Sequence, residues 1–276
     1  MTTPLPAPDA PFRTLPDLIG EHARHQPDYL ALRDEHEAIS YAQLDALMNR
    51  IAAALQQGGV QPGQAIAICA ANSVRYAALF LGALRAGVAV APLASSATAD
   101  SLASMLRDAG ARRLFTDAGA RERLPRIEHL PPCTALDDDT AFDHWLAPAG
   151  ARPAPVTITP EASFNIIYSS GTTGTPKGIV QSHGMRWAHI QRGSVYDYGP
   201  QGSTLLATPL YSNTTLVVFV PTLAYGGCVV LMKKFDALHY LELAQRHRIT
   251  HTMLVPVQYQ RIMALPQFGE FDLSSF

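Results

Sequence analysis

The sequence predicts an α/β fold of layered, parallel-rich sheets with helices on their faces. Three observations point there. Amphipathic helical stretches alternate with short, continuous apolar runs, each helix early in the chain stops at glycine, and 276 residues at 47% hydrophobic and 16% charged suffice for a substantial core. Leu44, Leu47, Met48, Ile51 and Leu55 form an i, i+3, i+4, i+7 stripe closed by Gly58 and Gly59. A strand at 65–70 follows the Gln61-Pro62-Gly63 turn. A helix at 73–86 ends at Gly87 before a strand at 88–91, and a helix at 99–109 ends at Gly110 before a strand at 113–116. The Pro- and Ala-rich stretch 147–155 reads as an extended connection. It divides a first α/β subdomain, 1–155, from a second, 156–276. The alternation then resumes with a strand at 164–168, a loop, a helix at 185–193, a strand at 205–208, a buried helix at 216–224 and a strand at 228–232. Asp236 is placed to cap a helix at 237–247, and a strand at 252–255 follows.

Composition excludes several classes. The net charge of −2, without a basic run, gives no stripe for a nucleic acid backbone. Cys69, Cys133 and Cys228 are scattered, which argues for a reducing compartment and against a disulfide scaffold or a zinc site. The spacings of His22 with His25 and of His247 with His251 suit a metal, but no further ligand set completes either, so they read as solvated or structural histidines. The amino terminus lacks the charged and apolar regions of a signal peptide. The apolar stretches 77–94 and 214–232 are broken by Arg85 and Pro92, and by Pro221 and Gly226-Gly227, so neither reads as a membrane span. These features predict a cytoplasmic protein.

The chemistry concentrates at 166–183, IIYSSGTTGTPKGIVQSH. An apolar strand runs into Ser169, Ser170, Gly171, Thr172, Thr173, Gly174, Thr175, Pro176, Lys177 and Gly178. Gly171 and Gly174 permit tight turns that aim backbone amides at an anion. The hydroxyls of Ser169, Ser170, Thr172, Thr173 and Thr175 add donors, and Lys177 brings a mobile point charge suited to phosphate. Together they make a triphosphate cradle. A P-loop NTPase would need Gly before the lysine and Ser or Thr after it; Pro176 and Gly178 stand there instead.

YSSGTTGTPKG at 168–178 resembles the phosphate-binding loop of the adenylate-forming superfamily, which includes acyl-CoA synthetases, firefly-type luciferases and peptide-synthetase adenylation domains. Further similarities follow in the family's order: Ile39-Ser40-Tyr41 with Leu44, LRAGVAVAPL at 84–93, Thr208-Pro209-Leu210-Tyr211, the stretch from Gly226-Gly227 to Phe235, and 249–256. Ser212 stands where the family usually has histidine beside the acyl group. The family's adenine-contacting Glu, its ribose-binding Asp and its C-terminal catalytic Lys have no counterpart here, so the resemblance is to the amino-terminal portion alone.

The resemblance implies attack of a carboxylate on the α-phosphorus of ATP to give acyl-adenylate and pyrophosphate, then a thioester with coenzyme A as co-substrate. It implies that Lys177 and Thr172 act in catalysis, that the 169–178 loop holds the β- and γ-phosphates, and that Thr172 lends a hydroxyl to Mg²⁺. Tyr211, Ser212 and Asn213 face the acyl group, although Tyr211 reads equally as a core aromatic. The segment 211–215 carries no carboxylate for an α-ammonium, which favours a fatty or aromatic acid over an amino acid as the small-molecule partner. The alternatives are an amino-acid-activating domain and a catalytically silent fragment, the latter expected of the 276 residues alone. Uncovered sheet edges predict self-association into a homo-oligomer, or local disorder at 268–276.

Overall fold

The structure, a computed structural model, describes residues 10–124, 127, 129–169 and 176–276. Helix α1 (Leu15–His25) opens the described chain, with the Thr14 hydroxyl accepting from the Asp17 amide at 3.2 Å and Pro16 in the first turn. A hairpin of β1 (Leu30–Arg33) and β2 (Ala38–Ser40) leads into α2 (Tyr41–Gln57). Then β3 (Ala65–Cys69), α3 (Val74–Arg85), β4 (Ala89–Pro92), α4 (Ala99–Asp108) and β5 (Ala111–Thr116) follow the predicted alternation to within two residues. Three short elements come next, α5 (Ala118–Arg121), β6 (Cys133–Ala135) and α6 (Asp139–Trp145). Beyond the extended connection lie β7 (Ser163–Ser169), β8 (Lys177–Ser182), α7 (His183–Arg192), β9 (Ser203–Leu206), α8 (Asn213–Ala224), β10 (Cys228–Leu231), α9 (Ala237–Arg246), β11 (His251–Thr252) and α10 (Pro256–Met263).

These elements make two compact units. One contains the described residues up to Leu44, Asn72–Val74 and Ala188–Phe276; the other contains Asp45–Ala71 and Arg75–Trp187. The first unit holds a five-stranded sheet in the order β11-β9-β10-β1-β2, parallel except for the β1–β2 hairpin. The second holds a six-stranded sheet in the order β6-β5-β3-β4-β7-β8, parallel except for the last pair. Parallel strands buried on both faces need continuous apolar runs, and β3 and β4 are buried at every position.

Packing inside each unit is close. In the second, a Cβ added at Gly82 of α3 would lie 2.5 Å from Cγ2 of Ile51 on α2, so glycine is what lets these helices approach. Arg85 of α3 fixes the same contact, donating to the Asp45 carboxylate at 2.7 Å and to Asn49 Oδ1 at 3.0 Å. In the first unit, Asp236 caps α9 as expected, accepting from the His239 amide at 2.9 Å.

Three expectations fail. The stretch expected to be all loop contains β8, an edge strand whose apolar residues Ile179 and Val180 face outward. The strand expected at 252–255 is the two-residue β11, His251–Thr252; the chain then leaves the sheet, and Val255 precedes Pro256 at the start of α10. The segment 268–276 is packed rather than disordered: Leu265, Phe268, Phe271 and Leu273 lie on the α9 core, and the Ser275 hydroxyl donates to the Ile249 carbonyl at 2.7 Å.

Candidate active site

Strands β7 and β8 pair antiparallel, ending at Tyr168 opposite Gly178 and Ser169 opposite Lys177. The predicted phosphate loop therefore springs from the mouth of a hairpin, at the carboxyl end of β7. That is the edge of an open parallel sheet where α/β proteins gather their ligands. Ser170, Gly171, Thr172, Thr173, Gly174 and Thr175 lie outside the described residues, as does the side chain of Ser169. Pro176 is partly buried and Lys177 is exposed at the first position of β8.

A clamp fixes this mouth. The Tyr168 hydroxyl reaches Asp108 Oδ2 at 2.7 Å and the Met105 carbonyl at 3.0 Å, tying the hairpin to the end of α4. Burial, reinforced by the bond to Asp108, holds the Tyr168 phenol well above its ordinary range, so it remains a donor. Gly178 fits against the same pair: a Cβ there would stand 2.6 Å from Asp108 Oδ2 and 3.2 Å from Tyr168 Cε1. Sequence reasoning assigned Gly178 to the loop's turn and overlooked Asp108.

A buried cation was also overlooked. Arg186 of α7 is 2% exposed; it donates to Asn165 Oδ1 at 3.3 Å and to Gln181 Oε1, and its guanidinium lies 5.7 Å from the Phe164 ring centroid. Burial lowers its pKa to about 10, leaving it charged at neutral pH. Its partners stand on β7 and β8, so a fixed positive charge belongs to the hairpin that carries Lys177. An arginine in a short helix of mixed polar and apolar residues reads as a surface residue in sequence, and no pattern marked it.

In the other unit, Asn72 holds the segment before α8. Its amide donates to the carbonyls of Thr208 at 3.0 Å and Met232 at 3.2 Å, and its oxygen accepts from the Leu210 amide at 2.8 Å. The Thr215 hydroxyl donates to the Pro209 carbonyl at 2.6 Å. Tyr211, Ser212 and Asn213 are thus brought together at the start of α8: the first two half-buried, Asn213 exposed, and Ser212 the extended residue preceding the helix.

A cleft of about 470 Å³ lies further along α8, lined there by Val217, Val218 and Pro221. His189 and Arg192 of α7, Tyr198, and His251 with Met253 complete much of its wall. The His251 ring stacks on Tyr198 with centroids 4.2 Å apart and planes 15° from parallel. Its Nε2 donates to the Tyr196 carbonyl at 2.6 Å, and Nδ1 lies 2.7 Å from the Thr250 hydroxyl. Two larger clefts, of about 560 and 1030 Å³, are lined in part by Ile127 and Leu130; among the described residues, none of the three clefts is lined by Lys177, Tyr211 or Ser212.

Two parallel-rich sheets, with the sequence YSSGTTGTPKG joining β7 to β8, define an α/β protein of adenylate-forming type. The AMP-binding enzyme family profile matches residues 19–276, and the chain belongs to that family. It is 28% identical over 270 residues to the fatty acid–[acyl-carrier-protein] ligase ScoC of Streptomyces coeruleorubidus, covering 96% of this chain and 52% of the relative. It is 31% identical over 261 residues to a feruloyl-CoA synthase of an Amycolatopsis species, covering 92% and 51%. The fold matches the inhibitor-bound N-terminal domain of FACL13 from Mycobacterium tuberculosis with a TM-score of 0.85 at 24% identity, over 96% of this chain and 68% of that one. The chain spans about half the length of these relatives. Among the described residues, no helix is long and apolar enough to cross a membrane.

Proposed function

We propose that the whole protein activates a fatty or aromatic carboxylic acid with ATP, forming an acyl-adenylate, and passes the acyl group to coenzyme A. The observation that carries this reading is the β7–β8 pair: it sets an exposed lysine next in sequence to a Gly- and Thr-rich stretch, at the carboxyl end of a strand in a parallel-rich sheet, in an AMP-binding family member. In the proposal, Thr172, Thr173, Gly174, Thr175 and Lys177 hold the β- and γ-phosphates and the departing pyrophosphate. The attacking carboxylate is already a nucleophile, so the chemistry rests on positioning and charge stabilisation. The exposed Lys177 ammonium suits phosphate, and Mg²⁺ would rest on phosphate oxygens, water and the Thr172 hydroxyl. Tyr211, Ser212 and Asn213 would border the reacting end of the acid. A cytoplasmic setting belongs to the same proposal.

The test is acid-dependent ATP–pyrophosphate exchange by the whole protein, followed by thioester detection with coenzyme A. Exchange with fatty or aryl acids is expected, and Lys177→Ala should lower kcat/KM for ATP roughly 100-fold. Exchange with amino acids alone would overturn the reading.

A second reading concerns the 276 residues in isolation. Because they span about half of each relative, we propose that they bind anions weakly and turn nothing over. Adenylate formed by this purified chain, with host enzyme excluded, would refute it.

A further inference from the structure

We infer that the cleft along α8 selects acids whose far end carries a second anionic oxygen group, and that Arg192 is the residue that reads it. The inference rests on the ligase reading above and names the substrate class within it. The cleft's volume of about 470 Å³ lies within the range of small-molecule sites.

Its lining is chemically one-sided. The ionisable side chains lining it, among those described, are His189, Arg192, His251 and the phenols Tyr196 and Tyr198; no Asp or Glu side chain joins them, and Phe276, the last residue of the sequence, also lines it. An anion entering such a space meets the Arg192 guanidinium and no acidic side chain among the described residues. A purely hydrocarbon tail would make no polar contact with that guanidinium.

The roles of these residues separate on geometry. Both nitrogens of His251 are engaged, by the Tyr196 carbonyl and the Thr250 hydroxyl, and its ring is stacked on Tyr198. It is therefore a fixed wall. Tyr198 is buried, and that burial pushes its phenol up to about 12, so it stays protonated. Arg192 differs: it is the exposed last residue of α7 and offers a planar fork suited to a carboxylate. Val217, Val218 and Pro221 give the carbon skeleton of such an acid an apolar wall.

The experiment compares octanoate with octanedioate in ATP–pyrophosphate exchange by the whole protein. Octanedioate should be favoured roughly 10-fold or more in kcat/KM, as expected for a site built around a polar contact. In R192L that ratio should fall toward one, whereas R192K should keep most of it. Equal or better use of octanoate, or a ratio unchanged in R192L, would overturn the inference while leaving the ligase reading standing; the latter result would make Arg192 only a charge at the end of a helix. No exchange with any acid in a fatty, aryl and dicarboxylic panel would remove the ligase reading, and this inference with it.

Discussion

Gly178 shows how a residue chosen for a turn also serves packing. Its missing side chain leaves space for the Asp108 carboxylate and the Tyr168 ring. Gly178→Ala should therefore lower stability by about 1–3 kcal/mol in urea unfolding. Tyr168→Phe removes one hydroxyl bond, and should cost about 1 kcal/mol. His22 gives the chain a pH dependence. It is buried, with Nε2 donating to the Ala224 carbonyl at 2.9 Å, and burial lowers its pKa from the ordinary 6.5. The folded state then takes up a proton less readily than the unfolded state. Stability is full above pH 6.5 and falls as pH drops from there toward the folded pKa. Urea midpoints measured from pH 7.5 to 5 should decline, and the decline should be shallower in His22→Gln. At this scale the sequence was only partly legible. Lys177 stood out because its neighbours in sequence define its chemistry, but Asp108 and Arg186 act through partners distant along the chain.

Among the elements, the segment from α2 to β5 was readable because each helix stops at glycine and each strand is an unbroken apolar run. Strand β8 was not, since its two apolar residues face outward from an edge and the rest of it is polar. The β1–β2 hairpin and β6 are too short to show a period, and α10 carries exposed Val257 and Met263 that blur its polar face. The turn before α8 depends on Asn72, whose three hydrogen bonds hold strand ends far from it in sequence. Asn72→Ala leaves a buried amide and two carbonyls without that partner, and should destabilise the chain by about 2–4 kcal/mol in the same unfolding assay. Gly82→Ala should cost about 1–3 kcal/mol by forcing α3 off Ile51.

For the whole molecule, the exposed apolar edge of β8 favours self-association of the isolated chain, with Val180 60% exposed. Light scattering should report mass rising with concentration, and Val180→Lys should restrain it. The family resemblance made the two-sheet layout legible, but the way the chain is threaded through it was not. The backbone passes between the compact units after Leu44, Ala71, Val74 and Trp187. A single scission therefore cannot release either unit intact. Breaking the chain near residue 155 would strip β7 and β8 from one sheet and β9, β10 and β11 from the other. Each unit's assembly must wait for distant stretches of the polypeptide, so the early half of the chain has no complete partner set until the later half has been made.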